Sequence, residues 1–152
     1  MIRTAALSLV LSASAAVAQP AEPGAADDDV RATIAQLFDG MRAADTVAVR
    51  AALHPTARLQ TAAARPDGRS VVETPVGAFL AAVAGSPVVF DERVEPGYPV
   101  LVDDGLAVAW VPYRFYAGDR FSHCGTNAVT LALGDDGWRI VQVVDTRRTD
   151  WD

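Results

Sequence analysis

The sequence predicts an α+β domain in which helices come first and an antiparallel sheet follows. Apolar residues recur at helical spacing between residues 30 and 41. After Pro87 the chain instead shows strand-like segments separated by short turns rich in Gly and Asp. We therefore expect three N-terminal helices packed on one face of a curved, mostly antiparallel sheet.

Three helices are predicted from apolar spacing and capping residues. The first has one apolar face, formed by Val30, Ile34, Leu37, Phe38 and Met41. Asp45 is expected to cap a second, short helix that ends at His54-Pro55. Thr74 is expected to cap a third helix with Pro75 at its first position and Gly85 at its end.

Seven strands are predicted, and two tight turns set the register of the last three. The expected strands are residues 58–63, 70–73, 88–95, 98–102, 106–117, 121–133 and 138–147. A two-residue turn at Gly118-Asp119 would place Tyr116 opposite Phe121 and Arg114 opposite His123. A second at Asp135-Asp136 would pair Leu133 with Trp138, Asn127 with Val144 and His123 with Arg148.

This register assigns side chains to the two faces of the sheet. The inner face, toward the helices, is predicted to carry Trp110, Arg114, Tyr116, His123, Asn127 and Arg148 above an apolar region. Asp145 and Arg147 then lie on the outer face as an ion pair, so His123 and Asp145 form no catalytic dyad. A single bulge in either strand would reverse these assignments.

The amino terminus has the pattern of a cleavable signal peptide. Residues 1–18 combine Arg3, a short apolar region and an Ala-Val-Ala cleavage site, and residues 19–28 have the composition of a flexible leader. We expect an exported, periplasmic protein with one domain at residues 29–150 and no membrane span in the mature chain.

Charge and cysteine content exclude some classes of partner. The chain has 19 acidic and 13 basic residues, a net charge of −6, which disfavours nucleic acid and anionic membranes. Cys124 is the only cysteine, so it forms no internal disulfide, and we expect it to be buried on a strand.

Two stretches resemble a known superfamily. "WVPYRFYAGDRFSHCG" (110–125) and "GWRIVQVVDTRR" (137–148), together with the order of elements, are similar to SnoaL-like and lumazine-binding-like bacterial members of the nuclear transport factor 2-like superfamily. The resemblance implies a cone-shaped fold, a pocket between sheet and helices, and dimers through the outer sheet face. Members include isomerases, cyclases, dehydratases and binding proteins without catalysis.

The candidate site residues fit a binding pocket better than any cofactor-dependent enzyme. No spacing predicts a metal site or a phosphate loop, and no cofactor is expected. We favour a domain that binds a small, anionic molecule through Arg114, Trp110, Asn127 and Arg148 without a reaction.

Two alternatives remain open. One is a cofactor-independent cyclase, isomerase or dehydratase in which His123 moves a proton and Tyr116 or Arg114 stabilises an oxyanion. The other is a structural or protein-binding module whose cone is filled by side chains. The sequence does not predict on which face of the sheet Asp91, Glu92 and Glu95 lie, because the Pro96-Gly97 bend that follows them leaves the pairing of this strand undetermined.

Overall fold

The computed structural model describes residues 24–66 and 68–150. The predicted signal peptide and residues 19–23 of the leader lie outside them. The chain folds into three helices and seven strands: α1 (Ala25–Arg42), α2 (Thr46–Ala52), β1 (Leu53–Arg65), β2 (Gly68–Thr74), α3 (Val76–Gly85), β3 (Phe90–Val94), β4 (Val100–Asp103), β5 (Leu106–Ala117), β6 (Arg120–Gly134) and β7 (Gly137–Thr146). Helix α1 thus begins four residues before the expected domain boundary at residue 29.

Helices α1 and α2 form as their apolar spacing predicts. All five residues of the α1 face are buried. The Asp45 carboxylate caps α2 by accepting bonds from the backbone N–H groups of Val47 and Ala48, each 3.0 Å long. Gly40 allows the two helices to pack closely, because a Cβ there would lie only 2.9 Å from a Val49 methyl carbon.

Helix α3 begins differently from the prediction. Its N-cap position is Pro75, and no side chain caps it, so the expected Thr74 cap is wrong. Thr74 instead pairs with Leu59 at the end of β2. Leu80 and Val83 are buried, which fixes α3 against the rest of the core.

The seven strands form one mixed, mostly antiparallel sheet. Its order is β2-β1-β7-β6-β5-β3, and β4 also pairs with β5. The β5–β6–β7 meander is antiparallel as predicted, whereas β1 lies parallel to β7. Within residues 24–66 and 68–150, no helix has the length and apolar character needed to cross a bilayer.

A bulge at Ser122 changes the register of β5 against β6. The turn forms as predicted, with Tyr116 opposite Phe121, but the next pair is Phe115 with His123. Arg114 therefore lies opposite Cys124, and its predicted pairing with His123 is wrong. One extra residue on one strand moves every later side chain of the partner strand to the other face.

A second bulge lies at Val141 in β7. Leu133 pairs with Trp138 as predicted, and Leu131 with Ile140, but Thr130 then pairs with Gln142. As a result Asn127 lies opposite Asp145 and not Val144. Arg148 pairs with Cys124 and not with His123.

The two bulges reverse the predicted faces of β5 and of the end of β7. Ala107, Ala109 and Val111 of β5 are fully buried under the helices, whereas Trp110 is 56% exposed. The expectation that bulky β5 residues would meet the helices is therefore wrong. Small residues fit there because the large side chains of α1 already fill the core.

Candidate functional site

A cavity of about 490 Å³ lies between helices α1 and α3 and the inner face of the sheet. Most of its wall is apolar, and its largest apolar side chains are Leu37, Phe38, Met41, Leu59, Phe79, Phe90, Phe115 and Val143. Its wall also carries a group of interacting polar residues, here called the polar cluster: Glu92, Tyr113, His123, Asn127, Asp145 and Arg147.

Glu92 is an acidic residue in a largely apolar wall. Strand β3 pairs Glu92 with Phe115 of β5, and both side chains line the cavity. The Asn127 side-chain amide donates to Glu92 Oε1 over 2.7 Å. Burial raises the pKa of Glu92 from 4.5 to about 7, and the nearby Asp145 charge adds to this, against the opposing effects of Asn127 and Arg147. Near neutral pH the protonated and ionised forms of this carboxyl group are therefore both populated.

Asp145 is held by two donors. Arg147 Nε donates to Asp145 Oδ2 over 2.7 Å. The Tyr113 hydroxyl lies 3.1 Å from the same oxygen and 3.0 Å from the carbonyl oxygen of Thr146, so its single proton can serve either acceptor. Burial, followed by the Asp145 charge, raises the pKa of Tyr113 well above its usual range. Tyr113 is thus a neutral hydrogen-bond donor at physiological pH.

Arg147 stays charged beside this carboxylate. Burial acts to lower the pKa of Arg147, but the hydrogen bond and the charge of Asp145 outweigh it, and the pKa is raised. The pair is therefore ionic, with Asp145 the more buried partner at 11% side-chain exposure.

Gly125 allows the end of β7 to approach β6. A Cβ at position 125 would overlap the carbonyl oxygen of Thr146 and would come within 3.1 Å of the Tyr113 ring. Only glycine leaves room for this approach, which brings the Thr146 carbonyl within reach of the Tyr113 hydroxyl.

His123 is packed as an aromatic ring. It stacks on Phe115 with ring centres 5.0 Å apart and meets the edge of Tyr113 at 5.8 Å. Its Nδ1 lies 3.1 Å from the Ser122 hydroxyl. Burial and the positive charge of Arg147 lower the pKa of His123, against the smaller effect of Asp145, so the imidazole is neutral at neutral pH.

The comparisons with known proteins identify the fold. No family model matches the sequence, and no curated protein matches it. A protein of unknown function from Shewanella baltica, described as nuclear transport factor 2-like, superposes with a TM-score of 0.64 at 13% identity, over 82% of this chain and 94% of its own. The chain has the nuclear transport factor 2-like fold.

Further solved structures agree. A Novosphingobium aromaticivorans protein, described as nuclear transport factor 2-like with a cystatin-like fold, gives a TM-score of 0.64 at 14% identity, covering 82% of this chain and 83% of its own. A candidate dehydratase of the same fold from Streptomyces avermitilis gives 0.63 at 12% identity, covering 85% and 100%. At such identities the likeness establishes the fold and no activity.

Two of the six predicted site residues line the cavity of this nuclear transport factor 2-like fold. They are His123 and Asn127. Arg148 lies beside it, in a more open pocket that also includes Ser122, His123 and Arg147. The register correction explains why Asn127 lies near Asp145, which the sequence had assigned to the opposite face.

Trp110, Arg114 and Tyr116 lie away from the cavity. Trp110 is exposed on the outer face of the sheet. Arg114 forms an ion pair with Glu95 at 3.0 Å. Tyr116 packs against Phe121 and beneath the Arg93 guanidinium. The group of basic side chains predicted on the inner face, Arg114, His123 and Arg148, is therefore not assembled.

Four residues of the polar cluster were missed by sequence reasoning: Glu92, Tyr113, Asp145 and Arg147. Glu92 was recognised as an acidic residue of a strand, but the sequence did not predict which face of the sheet it occupies. Asp145 and Arg147 were recognised as an ion pair and placed on the wrong face. The available signal was an acidic residue that follows the apolar run Val143-Val144, which is unusual unless the carboxylate has buried donors.

Proposed function

We propose that this protein is a small-molecule-binding domain whose ligand occupies the cavity between the helices and the sheet. The observation that carries the proposal is the cavity itself, about 490 Å³ with an apolar wall and a few interacting polar groups. Ligand sites are typically concave, mostly apolar and larger than about 300 Å³. A cone filled by side chains would leave no such space, which argues against a purely structural module.

A pair of variants on helix α3 tests this proposal. Ala82 lines the cavity and Ala81, next to it, does not. Ala82→Phe should fill part of the space, whereas Ala81→Phe adds the same ring on an exposed position of the helix. Mass spectrometry of small molecules retained by protein purified from its native compartment should find a ligand with the wild type and Ala81→Phe, and much less with Ala82→Phe. Equal retention by both variants would contradict the proposal.

A second candidate function is cofactor-independent proton transfer, which Glu92 favours. A carboxyl group with a pKa of about 7 in an apolar cavity is suited to act as a general base or acid near neutral pH. Tyr113 would supply the hydrogen-bond donor by turning its single hydroxyl proton from Asp145 or Thr146 toward the ligand. The candidate dehydratase among the similar folds is consistent with such chemistry. In this scheme Tyr113 replaces Tyr116, which does not line the cavity, and Glu92 replaces His123 as the group that moves the proton.

A generic base-sensitive probe tests this second function without knowledge of the substrate. Nitrobenzisoxazole opens when a base removes its ring proton, and carboxylates in apolar sites accelerate this step. The wild-type rate should rise with pH around a midpoint of about 7, and Glu92→Gln should lose it. A rate unchanged in Glu92→Gln would remove Glu92 as the base.

We further propose that the protein forms a homodimer through the outer face of the sheet. Leu106, Val108 and Trp110 of β5 are between 39% and 56% exposed there. Exposed large apolar side chains that share one face of a sheet are typical of an interface. Trp110→Glu should give a monomer in light scattering, whereas Val47→Glu, on the exposed side of α2, should leave the dimer intact. A dimer that survives Trp110→Glu would contradict this assignment.

Export follows from the proposed signal peptide. Amino-terminal sequencing of the protein from a periplasmic fraction should begin at Gln19. A mature chain that retains Met1 would contradict export through this segment.

A further inference from the structure

The cavity contains two carboxylates that are only partly hydrogen-bonded. Asp145 accepts hydrogen bonds from Arg147 and Tyr113, and both donors reach its Oδ2 atom. Asn127 donates to Oε1 of Glu92. Among the described residues, Asp145 Oδ1 and Glu92 Oε2 therefore receive no hydrogen bond from the protein. Each side chain lines the cavity with acceptor capacity to spare.

The charges that surround these carboxylates do not balance them. Among the described residues that line the cavity, Arg147 is the permanent cation, and it is paired with Asp145. His123 is neutral near pH 7, and Tyr113 keeps its proton. The residues that α1 and α3 contribute are uncharged: Leu37, Phe38, Met41, Ala78, Phe79 and Ala82. With Glu92 ionised, the cavity carries one uncompensated negative charge.

We propose that the cavity selects small organic cations, namely a protonated amine on an apolar body, with the ammonium group held by Glu92 and Asp145. The inference rests on the proposed binding function and replaces the anionic ligand expected from the sequence. An ammonium group donates up to three hydrogen bonds and has no acceptor, so it complements the free carboxylate oxygens. Phe79, Phe90 and Phe115 supply apolar and aromatic surface for the body of the ligand.

A carboxylate ligand is disfavoured by the same arrangement of charges. It would place a third negative charge beside Glu92 and Asp145 in a site of low polarity, where like charges repel strongly. A neutral alcohol would gain apolar burial but only one donated hydrogen bond. The expected order of affinity is therefore amine, then alcohol, then acid.

Three ligands with one rigid apolar body test this order: adamantylamine, adamantanol and adamantanecarboxylic acid. Isothermal titration calorimetry with the full mature chain at about pH 7 should show the amine binding about tenfold or more tightly than the alcohol. Because Glu92 is about half protonated at that pH, binding of the ammonium form should release about half a proton, measured by repeating the titration in buffers of different ionisation enthalpy.

A pair of charge-neutralising variants assigns the effect to the cavity. Glu92→Gln should weaken amine binding about tenfold or more, abolish the proton release and leave alcohol binding nearly unchanged. Asp136→Asn removes an equal charge from the exposed β6–β7 turn and should change none of these values. Circular dichroism checks that both variants fold. If Glu92→Gln does not fold, the affinity order and the proton release measured with the wild type still test the proposal.

The outcomes separate this inference from the function on which it rests. If the acid or the alcohol binds more tightly than the amine, the ligand class is wrong and the binding function stands. If the amine binds best but releases no proton and is insensitive to Glu92→Gln, the assigned carboxylates are wrong. If none of the three ligands binds the wild type, this inference fails, whereas the binding function is decided separately by the mass spectrometry of retained molecules.

Discussion

The burial of Glu92 makes a quantitative prediction about stability and pH. The folded state raises the pKa of this carboxyl group from 4.5 to about 7. It therefore holds the proton more tightly than the unfolded chain does. The resulting stabilisation is fully present below about pH 4.5 and is lost as the pH rises to about 7. The interval between these values corresponds to about 3 kcal/mol at most.

Glu92→Gln isolates this contribution. Glutamine keeps an oxygen that accepts the Asn127 bond but carries no charge. At about pH 8 the variant should be more stable than the wild type by up to about 3 kcal/mol, and at about pH 4.5 the two should be nearly equal. For a domain of this size the gain corresponds to an increase in melting temperature of roughly 10 °C. Changes from other groups, including His123, are common to both proteins and cancel in the difference.

Urea unfolding at both pH values measures the effect. The difference in the free energy of unfolding between variant and wild type should grow with pH, and Asp136→Asn should show no such growth. Two results would refute the reasoning: a Glu92→Gln variant no more stable than the wild type at about pH 8, or a stability difference that is independent of pH. Either would mean that water reaches the Glu92 carboxylate as freely as in the unfolded chain.

Three further substitutions test the architecture around the cavity. Gly125→Ala should lower the free energy of unfolding by more than about 2 kcal/mol, because its Cβ would overlap the Thr146 carbonyl; a near-neutral result in urea unfolding would contradict the close strand approach. Tyr113→Phe should cost about 1–3 kcal/mol at neutral pH by leaving Asp145 with one donor fewer, and an unchanged urea midpoint would show that the bond contributes nothing. Ile34→Ala should lower the free energy of unfolding by about 2–5 kcal/mol, since Ile34 of α1 is only 1% exposed. A loss of less than about 1 kcal/mol in thermal unfolding would contradict its place in the core.

The helices, the order of strands along the chain and the antiparallel meander could be predicted because their signals are local. The apolar face of α1 repeats at helical spacing, and Asp45 occupies the position of a capping residue. The turns at Gly118 and Asp135-Asp136 form where the sequence predicts them. The first residue pairs beyond each turn, Tyr116 with Phe121 and Leu133 with Trp138, match the predicted pairs. Each of these features depends on residues close together in the chain.

The cavity could not be predicted because it depends on two bulges with no local signal. Ser122 and Val141 each insert one residue into a hairpin whose turn is regular. Counting from the turn is therefore correct for the first pairs and wrong after the bulge. Strand β5 alternates large residues with alanine, and alternation alone does not show which face the helices cover. The faces of Trp110 and Asp145 follow from these two insertions.

The most direct test of the account is a titration of the Glu92 side-chain carboxyl carbon by nuclear magnetic resonance, with its signal assigned by loss in Glu92→Gln. The account places this carboxyl group in a largely apolar cavity beside Asp145, and it predicts a midpoint of about 7. A midpoint near 4.5, the ordinary value for glutamate, would show that Glu92 is in water and would contradict the cavity on which the proposed function depends.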